Sequence, residues 1–261
     1  MGNGINKRIA VAAALGVAAI GAGCGGDDDQ GTAGDGEPAG DAVTSLPQGS
    51  ERVELDPAGF TTEIDNPWWP MKPGTRWVYR ETDGEGGEQR VVVTVTDRTY
   101  EVSNGIDARV VRDVVSEAGE PVEKTDDWYA QDDSGNVWYL GEDTAEYENG
   151  KVVTTEGSFE HGVDGAQAGV IMPADPRVGQ SYRQEYYEGE AEDQGEIVSL
   201  DEKVEVPAGY YPHALMTKDL VPTEPKVSEH KFYVEGIGPV LTLDISGGTG
   251  REELVSFREG K

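Results

Sequence analysis

The residues with the most chemistry to offer are aromatic. Trp77, Tyr79, Trp128 and Trp138, with Tyr129 and Tyr139, recur on expected neighbouring strands of a curved sheet, while Trp68 and Trp69 lie between Pro67 and Pro70 in a segment that cannot be regular sheet. Such rings, each apolar in body and several with a polar edge, line pockets for apolar, amphiphilic or carbohydrate ligands. Arg112, Arg183 and Lys231 stand on expected strands where a cation could orient a polar head group. The plainer reading of the same rings is a packed core. The three histidines, His161, His213 and His230, show no H-E-x-x-H or paired spacing, so a catalytic zinc site is not indicated. His230, between Glu229 and Lys231, reads most simply as a strand histidine satisfied locally. No G-x-S-x-G elbow is present. The single cysteine, Cys24, precedes the expected folded domain, which excludes thiol catalysis there. Glu185, Glu192 and Asp193, beside Tyr186 and Tyr187, are where carboxylate hydrolysis would be sought first, although 51 acidic residues make close pairs unremarkable. Asp132-Asp133-Ser134-Gly135-Asn136 invites a calcium reading but fits a hairpin turn better. No phosphate-cradling glycine loop is found. The expectation is no catalytic residue, no metal and no cofactor.

The elements that must position these residues read as β. Arg90-Val-Val-Val-Thr-Val-Thr is β-branched, and Thr75, Trp77 and Tyr79 alternate with Arg76, Val78 and Arg80. Turn dipeptides come at short intervals: Asp83-Gly84, Gly86-Gly87, Asn104-Gly105, Ala118-Gly119, Gly135-Asn136 and Asn149-Gly150. Strands split this way are hairpins in series. The expectation is an all-β or β-dominated fold of about eleven or twelve strands. They form a large curved antiparallel sheet: a barrel, a half-barrel or two packed sheets. One or two short helices fit within residues 56–64 or 163–170. The glycine- and proline-bearing stretch 156–178 reads either as a binding loop or as a crossover packed by Phe159, Ile171 and Met172.

The chain's start is of another kind. Lys7 and Arg8 precede an apolar run, Ile9 to Ile20, and then Gly21-Ala22-Gly23-Cys24. A basic start, a short apolar stretch and small residues describe an export signal, too short for a membrane span. Cys24, directly behind it, is where a lipoprotein would be acylated, although Gly21 stands where such a site usually has leucine. The expected organisation is a signal peptide at 1–23, a lipidated Cys24 opening an acidic Gly/Asp-rich tether at 24–52, and one β-rich domain at 53–261. The formal net charge of −30 speaks against nucleic acid and against direct adsorption to anionic lipid. The expected location is the outer face of a cell membrane or envelope, and the expected partner is that membrane, reached through the lipid.

Ile64-Asp-Asn-Pro-Trp-Trp-Pro-Met-Lys-Pro-Gly-Thr-Arg-Trp-Val-Tyr79 resembles the opening of a family of uncharacterised exported bacterial proteins. So do Asp127-Trp-Tyr-Ala-Gln-Asp-Asp-Ser-Gly-Asn-Val-Trp-Tyr139, the stretch from Phe159 to Pro173, and Phe232-Tyr-Val-Glu-Gly-Ile-Gly-Pro-Val240. Many of these proteins look like actinobacterial lipoproteins. The match implies export and a fold rather than a chemistry. The Pro-Gly-Thr-x-Trp-x-Tyr strand is also similar, architecturally, to lipoprotein-carrier-like envelope proteins with an open β-sheet. The leading expectation is a non-catalytic binding or carrier module for an amphiphilic or envelope-derived ligand. A carboxylate-based hydrolase and a structural or interaction protein of the envelope stand as alternatives.

Overall fold

A computed structural model describes residues 46–84 and 86–261. The expected signal, Cys24 and all but the end of the expected tether lie outside the described residues. Sixteen strands follow one another: β1 (Phe60–Thr61), β2 (Arg76–Thr82), β3 (Glu88–Glu101), β4 (Asp107–Glu117), β5 (Glu120–Asp132), β6 (Val137–Glu148), β7 (Lys151–Thr154), β8 (Phe159–Glu160), β9 (Gln167–Met172), β10 (Ser181–Arg183), β11 (Glu185–Tyr186), β12 (Gln194–Val206), β13 (Gly209–Leu220), β14 (Ser228–Val234), β15 (Gly238–Ser246) and β16 (Arg251–Arg258). Twelve of them have four residues or more, the number that the turn signals imply. Among the described residues the only helix is a single 3-10 turn, Pro57–Gly59, in which the Ala58 amide donates to the Asp56 carboxylate.

All pairings are antiparallel, in the order β10-β12-β13-β14-β15-β16-β2-β3-β4-β5-β6-β9-β11. The two ends of this path, β10 and β11, are consecutive in the chain and separated only by Gln184. Residues 181–186 therefore pair with β12 on one side and with β9 on the other, and the sheet curls into a nearly closed barrel. Bulges between Val95 and Thr99, between Trp128 and Tyr129, and along β12 add the bending that this curl needs. Gly169 admits the closure. A Cβ there would lie 2.4 Å from the Arg183 carbonyl oxygen and 2.5 Å from the Gln184 backbone.

The hairpins obey the turn chemistry. Ala118 (φ 51°) and Gly119 (φ 91°) join β4 to β5, and Asn149 (φ 52°) and Gly150 (φ 74°) join β6 to β7. Two consecutive positive φ values mark the tight hairpin turn whose twist matches its strands. Asp132 closes the β5–β6 turn: its carboxylate accepts from the backbone amides of Ser134 and Asn136 and from Trp138 Nε1. This stretch is an Asx-capped turn, in line with the plainer of its two readings.

One expectation is corrected. Residues 163–170 do not hold a short helix; Gln167–Met172 is strand β9, buried at every position. A strand covered on both faces has no alternation to show, so its apolar run is ambiguous in sequence. Phe159, Ile171 and Met172 pack into the core from this stretch.

The start of the described chain is strapped to the barrel. The Arg183 amide donates to the Pro47 carbonyl. Its guanidinium donates to the carbonyls of Gly49 (2.9 Å), Glu51 (2.5 Å) and Ala168 (2.6 Å). Gln48 Nε2 reaches the Ser181 carbonyl at 2.6 Å. The strap thus lies across the segment that closes the sheet.

Candidate binding site in the barrel interior

Alternation along the strands decides what faces the interior. On β2, Trp77 and Tyr79 point inward. Across the ladder, Val93 pairs with Trp77 and Asp113 with Val93. On β5, Asp127 and Tyr129 keep the inward phase. Trp69 and Met71 enter from the segment before β2, where Pro67 and Pro70 forbid regular sheet. Trp69 rests between Tyr129 (ring centroids 5.8 Å) and Tyr233 (5.6 Å), and Tyr129 stacks on Tyr139 at 5.0 Å. Their polar edges are taken up. Trp77 Nε1 donates to the Ile237 carbonyl at 2.7 Å, Tyr79 Oη to that of Pro239 at 3.0 Å, and Tyr139 Oη to Asp127 at 2.9 Å.

Interleaved with these rings, the same cavity is lined by five acids: Asp113, Asp127, Glu185, Asp193 and Glu252. The first four are more than nine-tenths buried, and Glu185 is 1% exposed. Lys231 is the one cation lining this cavity among the described residues, and it is already engaged. Its Nζ lies 2.9 Å from Asp219 and 3.7 Å from Glu229. Asp219 is held in turn by Thr217 Oγ1 at 2.7 Å and by Gln184 Nε2 at 3.3 Å. Burial works against the Lys231 charge, but Asp219 and Glu229 outweigh it and raise its pKa well above the usual lysine value.

The acids respond as crowded buried carboxyls must. Burial, reinforced by Glu123 and Glu81, pushes Asp113 up to about 7. Burial with Glu146 nearby takes Glu123 to about 7. Asp193 rises to about 8, chiefly by burial and against the pull of Lys231. Asp127, Glu142 and Glu185 stand well above the ordinary range, first from burial and then from a neighbouring acid: Asp113 beside Asp127, Asp127 beside Glu142 and Asp193 beside Glu185. Both carboxylate oxygens of Glu185, and one each of Asp113 and Asp193, have no hydrogen-bond partner. A buried polar group left so costs about 1–3 kcal/mol.

The unfilled heart of this cavity is about 40 Å³. That volume admits a few waters or a short chain of atoms, and not a long acyl chain. Glu185 also borders a second, polar cleft of about 230 Å³, beside the strap at Gly49 and Ser50 and lined by Arg183, Tyr186, Glu192 and Gln194. Glu185 is thus the one residue that lines both cavities.

Of the residues expected to bind a ligand, Trp69, Trp77, Tyr79 and Lys231 meet at this interior. The others are elsewhere. Trp68 is half-buried and packs against the core without lining the cavity. Trp128 is buried in the hydrophobic core but does not line the cavity, and it stacks on Tyr100 at 4.1 Å. Trp138 is likewise buried in the core outside the cavity, edge-on to Phe60 at 6.0 Å. Arg112 is exposed and grips Asp126 with two hydrogen bonds of 2.7 Å. Arg183 is buried on the strap carbonyls. Glu185 and Asp193 reach the interior, whereas the Glu192 carboxylate accepts from the Gly189 amide at the cleft. Sequence reasoning passed over Asp113, Asp127, Tyr233 and Glu252. For Asp113 the signal existed, since it falls in phase with the inward Val111 and Val115.

No family model matches the chain, and no curated protein matches it. Three solved structures are similar in part. One, from Bacteroides fragilis, is assigned as an exported protein with a YmcC-like fold; it is 15% identical, covers 74% of this chain and 99% of its own, and has a TM-score of 0.42. A second, assigned as a lipoprotein from Parabacteroides distasonis, is 13% identical over 73% of this chain and 98% of its own, with a TM-score of 0.40. A β-barrel-like protein from Brucella abortus, of a domain of unknown function, is 13% identical over 72% and 98%, with a TM-score of 0.34.

Proposed function

We propose that this protein is a non-catalytic binding module of a bacterial cell envelope, exported and held to the membrane by lipid on Cys24. In this reading it takes a small amphiphilic ligand into the barrel interior. The observation that carries it is the convergence of Trp69, Trp77 and Tyr79 with buried, partnerless carboxylates around unfilled space. A well-packed core has no reason to keep such groups, because each costs stability. The basic start, the apolar run and the position of Cys24 support export and anchoring.

A second reading has an observation of its own. Asp113, Asp127, Glu185 and Asp193 share one cavity and hold their protons unusually well, as a general acid must. Its weakness is space, since 40 Å³ leaves no room for a glycosidic bond between two carboxylates.

One experiment addresses both. The full-length protein, purified from a bacterial membrane fraction, is weighed by native and then by denaturing mass spectrometry. Binding predicts an extra mass that denaturation releases, and anchoring predicts acyl groups that stay on the chain. A clean mass in repeated preparations from its own host rejects the binding reading. Turnover of an added envelope extract would favour the hydrolase.

A further inference from the structure

We infer that the ligand carries a primary ammonium group, and that this group docks on Glu185 with its short apolar part against Trp69, Tyr129, Tyr139 and Ile171. The inference rests on the binding reading above and names the chemical class that this site would take.

The argument starts from unmet demand. Glu185 is 1% exposed, and neither of its carboxylate oxygens has a hydrogen-bond partner. Asp113 and Asp193, on the same cavity, each present a further partnerless oxygen. Once ionised, these oxygens need hydrogen-bond donors, and a cation seated here replaces the proton that burial otherwise keeps on them. The cation lining this cavity cannot supply them, because Lys231 is held by Asp219 and Glu229. Arg183, beside Glu185 in the cleft, gives both of its terminal guanidinium nitrogens to the carbonyls of Gly49, Glu51 and Ala168, and its Nε, buried without a partner, makes no hydrogen bond to Glu185.

A primary ammonium brings three donors and a positive charge to such a site. A quaternary ammonium brings the charge without the donors. An alcohol brings one donor without the charge, and a carboxylate adds to the repulsion. The neighbouring rings favour the same choice, since aromatic faces attract cations and accept the methylenes next to them. Glu185 also borders the polar cleft, which offers the ligand a way in, head group at the mouth and apolar end inward. The 40 Å³ beyond limits that end to a few carbons.

The test is calorimetric titration of the full-length protein, solubilised in a non-ionic detergent, with n-butylammonium, 1-butanol, butyltrimethylammonium and butyrate. The expected order is n-butylammonium tightest, by at least tenfold over each of the others. Glu185→Gln, and separately Asp113→Asn, should weaken n-butylammonium at least tenfold while the circular-dichroism spectrum stays β-rich. Equal or tighter binding of 1-butanol, or of the quaternary or anionic probe, overturns the inference and leaves the binding reading in place. Failure of all four probes also overturns it. If the protein from its own host then weighs clean as well, the binding reading falls with it.

Discussion

At the scale of single residues, Arg183 does more than its position suggested. Its guanidinium holds three backbone carbonyls, two on the strap and one on β9. Lysine cannot reproduce this, since a point ammonium lacks the planar fork. Arg183→Lys should cost about 2–4 kcal/mol in urea denaturation and expose residues 46–52 to protease. Unchanged stability would mean that the strap adds nothing to the fold. What could be read in the sequence here was phase, not side. Trp128 and Trp138 looked like partners of Trp77, yet in β5 and β6 it is Tyr129 and Tyr139 that turn inward. Adjacent aromatic residues place a ring on each face of the sheet, and alternation alone does not say which face lines the cavity, since all four rings are buried. Trp68 and Trp69, between prolines, have no phase at all.

At the scale of elements, legibility followed locality. The hairpins at Ala118-Gly119 and Asn149-Gly150 could be read because each turn dipeptide carries its own geometry. The closure at residues 181–186 could not, because its partners are split between β12 and β9 and no local signal marks it. Its physical mark is Gly169, which looks like an unremarkable strand glycine. Gly169→Ala would drive a methyl group into the Arg183–Gln184 backbone, at a cost of roughly 3 kcal/mol. A midpoint in urea equal to that of the parent would show that the closure yields easily.

At the scale of the whole molecule, the acids dominate. Carboxyls of the unfolded chain titrate near pH 4, whereas Asp113, Glu123 and Asp193 in the fold titrate at about 7, 7 and 8. Between these limits the folded chain binds more protons than the unfolded one, so stability falls as pH rises from about 4 to 8. Asp126 and Glu253 act the other way. Burial opposes their ionisation, but arginine hydrogen bonds prevail and lower both pKa values, so their contribution is lost only as the pH falls below about 4. The ligand-free protein should therefore melt roughly 5–10 °C higher at pH 5 than at pH 8. A scanning-calorimetry profile that rises over that interval would show the interior acids to be ionised and compensated.

The barrel closes on six residues in mid-chain, and this has a consequence for how it comes together. The strands on either side, β2 to β9 and β12 to β16, are two runs of mostly neighbouring hairpins whose contacts are short in sequence. Local contacts form quickly, and long loops close slowly. Each run can thus take shape before the other. Two slower encounters remain: β16 finding β2, and the hexapeptide finding both of its edges. Stopped-flow refolding should accordingly resolve a fast phase untouched by Gly169→Ala and a slow phase that it retards; a single phase would mean that the halves assemble as one. Until the hexapeptide is seated, the β9 and β12 edges stand bare, so the slow step is also the interval in which two copies of the chain could pair by mistake.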